Sequence, residues 1–149
     1  MTSISHALIG AAIAAKIPDP VLAGFLAVVT HFVCDAIPHW DLGTNWRLRP
    51  RVITGALAIL ETLAAIAISF SLFVRFVPNQ FTLIVAIIAS LAPDWLEAPY
   101  YLLMPHPPKI FYYLYKVQSL IHERLETPWG VLTQVAVVAA FLLIGFVWK

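Results

Sequence analysis

The chain has 149 residues, enough for one domain, of which 61% are hydrophobic and 11% charged. This composition, with a mean hydropathy of +0.86, is typical of an integral membrane protein and excludes an ordinary water-soluble domain. The net charge is +1 and no run of Lys or Arg forms a basic tract, so we expect no nucleic-acid partner. We predict a single membrane domain over residues 1–149, with membrane lipids as its immediate partners.

Five apolar segments, separated by proline-rich or charged breaks, predict an all-α membrane bundle of about five helices, because lipid offers the backbone no other hydrogen-bond partners. The segments are 3–15, 21–37, 52–74, 81–104 and 129–148. The last three reach or approach the ~20 residues that span a bilayer. The first two are short, so we expect a tilted or shallow hairpin there. Pro93 and Pro99 should interrupt the fourth segment.

The connector before the last segment reads "PHPPKIFYYLYKVQSLIHERLETP", residues 105–128. Its aromatic, basic and apolar residues suit an amphipathic helix at the level of the lipid headgroups, with tyrosines in the interface. We therefore predict an interfacial amphipathic helix before the last membrane helix.

The cations are distributed unequally if the five segments alternate across the membrane. One side holds six Lys or Arg residues and the other three. The six are Arg47, Arg49, Arg51, Lys109, Lys116 and Arg124, and the three are Lys16, Arg75 and Lys149. Since cytoplasmic loops carry the excess of positive charge, we expect a protein of the cytoplasmic (inner) membrane with its amino terminus in the cytoplasm.

The motif "THFVCDAIPHWD", residues 30–41, places four ionisable residues at the end of an apolar run. His31 and Asp35 are four residues apart and share one helix face. Pro38 should turn the chain out of the helix, so that His39 and Asp41 fold back over its end. Imidazole and carboxylate together suit a divalent cation, with zinc expected first and manganese or iron as alternatives. The spacing also fits a buried His–Asp pair that ties helices together.

Other ionisable residues reach the same membrane face in the alternating topology, and such residues usually mark a functional site. His6 fits either a metal ligand or a histidine bonded to a neighbouring helix, and Asp94 fits a ligand or a helix cap. In "HERLE", His122 and Glu126 repeat the four-residue spacing, although this segment also fits a solvated connector. The predicted metal ligands are His6, His31, Asp35, His39, Asp94, His122 and Glu126.

Two carboxylates are candidates for catalysis. A bound metal would lower the pKa of a water molecule and polarise a phosphoryl oxygen, and Asp41 or Glu61 could then act as general base. Glu61, within the third segment, fits better as a residue that orients a ligand histidine.

Three motifs resemble a known family in their order and spacing: "SHALIGAAIA", "HFVCDAIPHWD" and "IHERLETPWGVLTQVAVVAAFLL". They resemble the small membrane-bound metal-dependent hydrolases of the YdjM type. The resemblance implies as metal ligands His6, the His31/Asp35 pair, the His39/Asp41 block and His122. The late motif departs from the family pattern H-R-G-x-T-H-S, because "ERLETPWG" follows His122. Either Glu126 replaces the second histidine as an oxygen ligand or the site holds fewer ligands. The paired HxxxD and HxxxE spacing is also similar to that of zinc-dependent phospholipase C.

We therefore predict a metal-dependent hydrolase at the cytoplasmic membrane face, acting on a phosphate ester of a lipid. One alternative is a non-catalytic membrane protein in which a His/Asp metal site or hydrogen-bond network holds short helices together. Another is a small transporter or proton relay. The clustering of ionisable residues at one face argues against transport, because a transport path must reach both sides.

Overall fold

The structure, a computed structural model, describes residues 1–43, 46–103 and 107–147. Within these residues the chain forms six α-helices and no β-strand. The helices are α1 (Ser3–Ala14), α2 (Pro20–Asp35), α3 (Arg51–Phe73), α4 (Gln80–Ala98), α5 (Lys109–Ile121) and α6 (Trp129–Val147). A short 3₁₀ turn, Trp46–Leu48, precedes α3, and a π-helical turn, Pro99–Leu103, follows α4. The all-helical prediction is confirmed.

Three helices, α3, α4 and α6, are long and apolar enough to cross a membrane. Most of α3 and α6 is not buried inside the protein, and large apolar side chains such as Leu63 and Leu143 are exposed, as suits contact with lipid. The helices α1 and α2 are shorter, and their crossing of a bilayer stays a prediction. Met104 and Trp148, the predicted ends of two segments, and Lys149 lie outside the described residues.

The turn between α1 and α2 lies against the start of α4. Asp19 caps α2 by accepting from the backbone N–H of Leu22 at 2.7 Å, and Asn79 caps α4 in the same way. The Thr82 hydroxyl donates to the Pro18 carbonyl at 2.7 Å, which joins the two turns. The start of α1 and the ends of α2 and α4 therefore lie together at the opposite end of the bundle, where the ionisable residues are.

Two helix boundaries differ from the sequence prediction. Helix α4 continues through Pro93 to Ala98 rather than breaking there. Inside a membrane helix, neighbouring groups can form the hydrogen bonds that a proline leaves unmade, so the helix can continue past it. Pro99 then ends the α-helical geometry and the π-helical turn begins.

The connector helix is shorter than predicted. α5 ends at Ile121, and the backbone that follows pairs with residues 35–39 instead of continuing the helix. The N–H of Glu123 donates to the Asp35 carbonyl at 2.9 Å, and the N–H of Leu125 donates to the His39 carbonyl at 2.8 Å. The expectation that His122 and Glu126 share one helix face is therefore wrong, because these tertiary bonds replace the helical ones.

Helix α1 lies at the centre of the bundle and contacts α2, α3, α4 and α6. Eight of its twelve residues are buried, and they include alanines and a glycine that let neighbouring backbones approach. A methyl group on Gly10 would lie 2.7 Å from the carbonyl oxygen of Ala86. Only glycine therefore fits where α1 meets α4.

We expect Gly10→Ala to lower the unfolding temperature in detergent by several degrees, since overpacking a tight contact costs roughly 1–3 kcal/mol. Gly55→Ala is the matched control, because a methyl group there meets no atom within 4 Å. Thermal unfolding followed by circular dichroism compares the two variants. Equal unfolding temperatures would contradict the close approach of α1 and α4.

Candidate metal centre

Seven ionisable side chains meet where α1 begins and where α2 and α4 end. They are His6, His31, Asp35, His39, Asp41, Asp94 and His122. The first five are buried, and the last two are partly buried. The structure thus brings together six of the seven predicted ligands and the predicted base Asp41.

The carboxylate of Asp35 lies at the middle of this cluster and is fully buried. Its Oδ1 is 3.1 Å from Nε2 of His6 and 3.6 Å from Nε2 of His39, and it also contacts the Met1 amino group. Its Oδ2 is 3.3 Å from Nδ1 of His122 and 3.5 Å from Nε2 of His31.

Among the described residues, Oδ2 of Asp35 has no hydrogen-bond partner. A buried carboxylate oxygen without a partner is costly and rare in folded proteins. Four imidazoles surround the carboxylate, yet none donates a hydrogen bond to this oxygen. A cation bound between them would satisfy it.

The donors fall into two groups. One group is His6, His31 and Asp94, and the other is Asp35, His39 and His122. Within each group the donor atoms lie within 4.8 Å of one another. Imidazole nitrogen and carboxylate oxygen are the donors that zinc and similar divalent metals accept in proteins. These buried His/Asp clusters could therefore hold a metal ion.

Two histidines are held in the orientation that a metal ligand requires. Nδ1 of His31 donates to the Ser90 carbonyl at 2.8 Å, and Nδ1 of His39 donates to the Ile37 carbonyl at 2.7 Å. Because a carbonyl can only accept, the neutral ring carries its proton on Nδ1 and turns the lone pair of Nε2 toward the cluster. Metal-binding histidines are commonly fixed in this way.

His122 and Asp41 form the closest ion pair between side chains in the cluster, with Nε2 and Oδ2 2.7 Å apart. Burial alone would lower the pKa of His122, but the neighbouring Asp35 and Asp41 carboxylates outweigh it and raise the pKa to about 9. Burial would raise the pKa of Asp41, but His122 and His39 hold it well below its usual range. This part of the site therefore favours a positive charge, either a proton or a cation.

Gln118 belongs to the site although the sequence analysis did not single it out. Its side chain is buried, and its Nε2 donates to Oδ1 of Asp94 at 2.6 Å. The same nitrogen is 3.5 Å from Nε2 of His31. The sequence signal for Gln118 was its position, one helical turn before His122.

Two predicted residues lie outside the cluster of seven side chains. Glu126 is exposed. Glu61 accepts a hydrogen bond from the backbone N–H of Ser3 at 2.8 Å, so it holds the first turn of α1, which carries His6. Glu61 therefore does not bond to the imidazole of a histidine in this contact. It orients His6 indirectly, by holding the α1 backbone.

A cavity of about 90 Å³ leads to the cluster, well above the ~10–15 Å³ that one water needs. Its polar walls include Asp41, Glu61, Asp94, His122 and Arg124. An apolar groove adjoins it, lined by Thr62, Ile88, Leu91, Ala92, Trp95 and Leu96. Thr62 and Trp95 line both spaces, and the Trp95 indole donates to the Thr62 hydroxyl at 3.0 Å.

Comparison of the chain with family models, curated proteins and solved structures finds no match. The case for this site therefore rests on the chemistry of its own residues. That chemistry is a buried carboxylate with an unsatisfied oxygen, surrounded by imidazoles and reached through a polar cavity.

If the cluster holds a divalent metal, we expect Gln118→Leu to weaken its binding by on the order of tenfold or more, because residues that orient metal ligands typically contribute that much. Ser119→Ala is the matched control, since Ser119 is exposed and its hydroxyl donates to the Lys116 carbonyl of its own helix. Competition with a coloured chelator measures both affinities. An unchanged affinity for Gln118→Leu would show that Asp94 needs no such support.

Proposed function

We propose that the protein is a metal-dependent hydrolase of the membrane that acts on a phosphate ester of a lipid. The observation that carries this proposal is the buried Asp35 carboxylate, in which two imidazoles approach each oxygen and Oδ2 has no hydrogen bond within the described residues. A His–Asp pair that only joins two helices would need no such convergence. Several imidazoles turned toward one carboxylate are typical of a metal site.

The residues present fit a divalent cation. Nitrogen and oxygen donors favour zinc first, and manganese or iron accept the same set. The residues that would hold the cation are His6, His31, Asp35, His39, Asp94 and His122. When bound, it would supply Lewis acidity, polarising a phosphoryl oxygen and lowering the pKa of a water molecule.

Residues of the cavity wall supply the remaining functions. Arg124 lines the cavity, and its guanidinium suits the oxygens of a phosphate group. Asp41 is held by His122 at 2.7 Å, and a carboxylate with a lowered pKa is a weak base. It therefore suits positioning of His122 better than proton abstraction. Glu61 also lines the cavity, from α3, and is the better candidate for general base.

The lipid assignment rests on the surroundings of the cavity. Three helices of the protein could span a bilayer, and the apolar groove along α3 and α4 adjoins the polar cavity at Trp95 and Thr62. A phosphate headgroup in the cavity would leave an acyl chain in the groove. Tryptophan is common where the headgroup and acyl regions meet.

The unequal distribution of cations in the sequence supports a site at the cytoplasmic face of the inner membrane. The resemblance to YdjM-type hydrolases supports the same function. The further late histidine of that family is missing here, and Glu126, the candidate to replace it, is exposed, so His122 is the late ligand in our proposal.

A structural metal is the second candidate function, because the donors come from separate elements that a metal would join. His6 lies on α1, His31 on α2 and Asp94 on α4. A transport path is less well supported. In the described part of the chain, an apolar cluster that includes Ala11, Ala14, Leu83 and Phe73 fills the bundle beyond the site.

We expect protein purified without chelator to contain stoichiometric zinc, manganese or iron by elemental analysis, and Asp35→Asn to lose it, because the central carboxylate is replaced by a neutral amide. Glu126→Gln is the control, and we expect it to retain metal, since Glu126 is exposed and outside both donor groups. Wild-type protein without stoichiometric metal would overturn the proposal. Metal without phosphatase activity would favour the structural role.

We expect Ala92→Trp, which fills the groove, to raise the KM for dioleoyl phosphatidate in mixed micelles severalfold. Hydrolysis of p-nitrophenyl phosphate, which has no acyl chain, should change little. Ala140→Trp on α6 is the matched control, since Ala140 is exposed and outside the groove. Equal effects on both substrates would contradict an acyl chain in the groove.

A further inference from the structure

We propose that the site is dinuclear, with the Asp35 carboxylate bridging two divalent cations. His6, His31 and Asp94 would hold one cation, and His39 and His122 would hold the other. This inference rests on the proposed metal-dependent function and specifies how many ions it uses.

The number of donors is the first argument. Six side chains supply donor atoms in two separate groups, whereas zinc takes about four ligands in a protein site and leaves one position open in an enzyme. His6, His31 and His39 are each at most 1% exposed. A single zinc would therefore leave about two of the six donors outside its coordination shell. Two ions would use all of them.

The position of Asp35 is the second argument. Each of its oxygens contacts one histidine from each group. Oδ1 is 3.1 Å from His6 and 3.6 Å from His39, and Oδ2 is 3.5 Å from His31 and 3.3 Å from His122. Asp35 belongs to the second group by the distances between donor atoms, and its contacts with His6 and His31 show that it also reaches the first group. Metal pairs in hydrolases lie ~3.5–4 Å apart, a span that a single carboxylate can bridge.

Each group also has its own supports. In the first group, the Ser90 carbonyl orients His31 at 2.8 Å, and Gln118 holds Asp94 at 2.6 Å. The two imidazoles of this group, His6 and His31, stack with ring centroids 3.9 Å apart, which places their donor atoms side by side.

In the second group, the Ile37 carbonyl orients His39 at 2.7 Å, and Asp41 holds His122 at 2.7 Å. Each group thus has at least one histidine oriented by a backbone carbonyl and one further side chain held by a polar neighbour.

The charge of the site agrees with two cations. Asp35, Asp41 and Asp94 supply three negative charges around neutral imidazoles, and the Met1 amino group beside Asp35 supplies one positive charge. Two divalent ions would leave a charge of about +2, which a phosphate group in the cavity can balance. Paired divalent ions are common in sites that cleave phosphate esters, so a pair of ions agrees with the proposed phosphate ester substrate.

Metal stoichiometry of the full chain tests the proposal. After loading with Mn²⁺ and removal of free ion, we expect about two ions per wild-type chain and an exchange-coupled pair by electron paramagnetic resonance. Asp94→Asn should leave about one ion, held by the second group, and His122→Ala should leave about one ion, held by the first. Neither variant should show the coupled spectrum.

Glu123→Gln is the matched control, because Glu123 is exposed beside His122, and it should keep both ions and their coupling. The spectrum of the wild-type protein needs no variant, so it decides the question even where a variant fails to fold. One ion per chain, or two without coupling, would overturn the dinuclear site and leave the metal-dependent hydrolase standing. No bound ion would overturn both.

Discussion

Burial of the Asp35 carboxylate is the constraint on which the site depends. A charged group without access to water must be compensated by nearby cations or hydrogen bonds. Here the compensating groups come from three parts of the chain, with His6 on α1, His31 on α2 and His122 after α5. The same buried acid therefore draws together elements that are distant in sequence. A metal at this point would link the fold of the bundle to its chemistry.

The central helix makes this arrangement possible. Small residues on α1 let its neighbours approach closely, and Gly10 meets the backbone of α4. His6 is therefore held in the interior, one turn from Gly10. The start of α1 is fixed from two sides, because Glu61 accepts from the Ser3 N–H and Gln134 accepts from the Ser5 hydroxyl at 3.3 Å. The placement of His6 thus follows from packing within the bundle.

Much of the fold could be predicted because apolar segments and their breaks are local features. The predicted segments 3–15 and 52–74 agree with Ser3–Ala14 and Arg51–Phe73 within about one residue. The His31/Asp35 pair could be identified from helical spacing alone. The order of the segments was enough to predict that this pair meets His6 and Asp94, because successive helices that alternate across the membrane bring these residues to the same face.

Tertiary hydrogen bonds account for what the sequence did not reveal. The stretch after Ile121 leaves the helix because Glu123 and Leu125 pair with the backbone of residues 35–39, and no local pattern encodes such pairing. Gly130 marks the same contact. A methyl group there would lie 2.1 Å from the Leu125 carbonyl oxygen. Gln118 was missed for a related reason, since its role depends on Asp94, which comes from another helix.

X-ray absorption spectroscopy of the metal-loaded protein tests the central claim most directly, because it reports the atoms around the metal. A zinc ion held by this cluster should show a first shell of nitrogen and oxygen at about 2.0–2.1 Å. The outer-shell scattering should be that of several imidazoles, and Asp35→Asn should abolish the signal. A first shell containing sulfur, or one without imidazole scattering, would place the metal elsewhere and contradict the account.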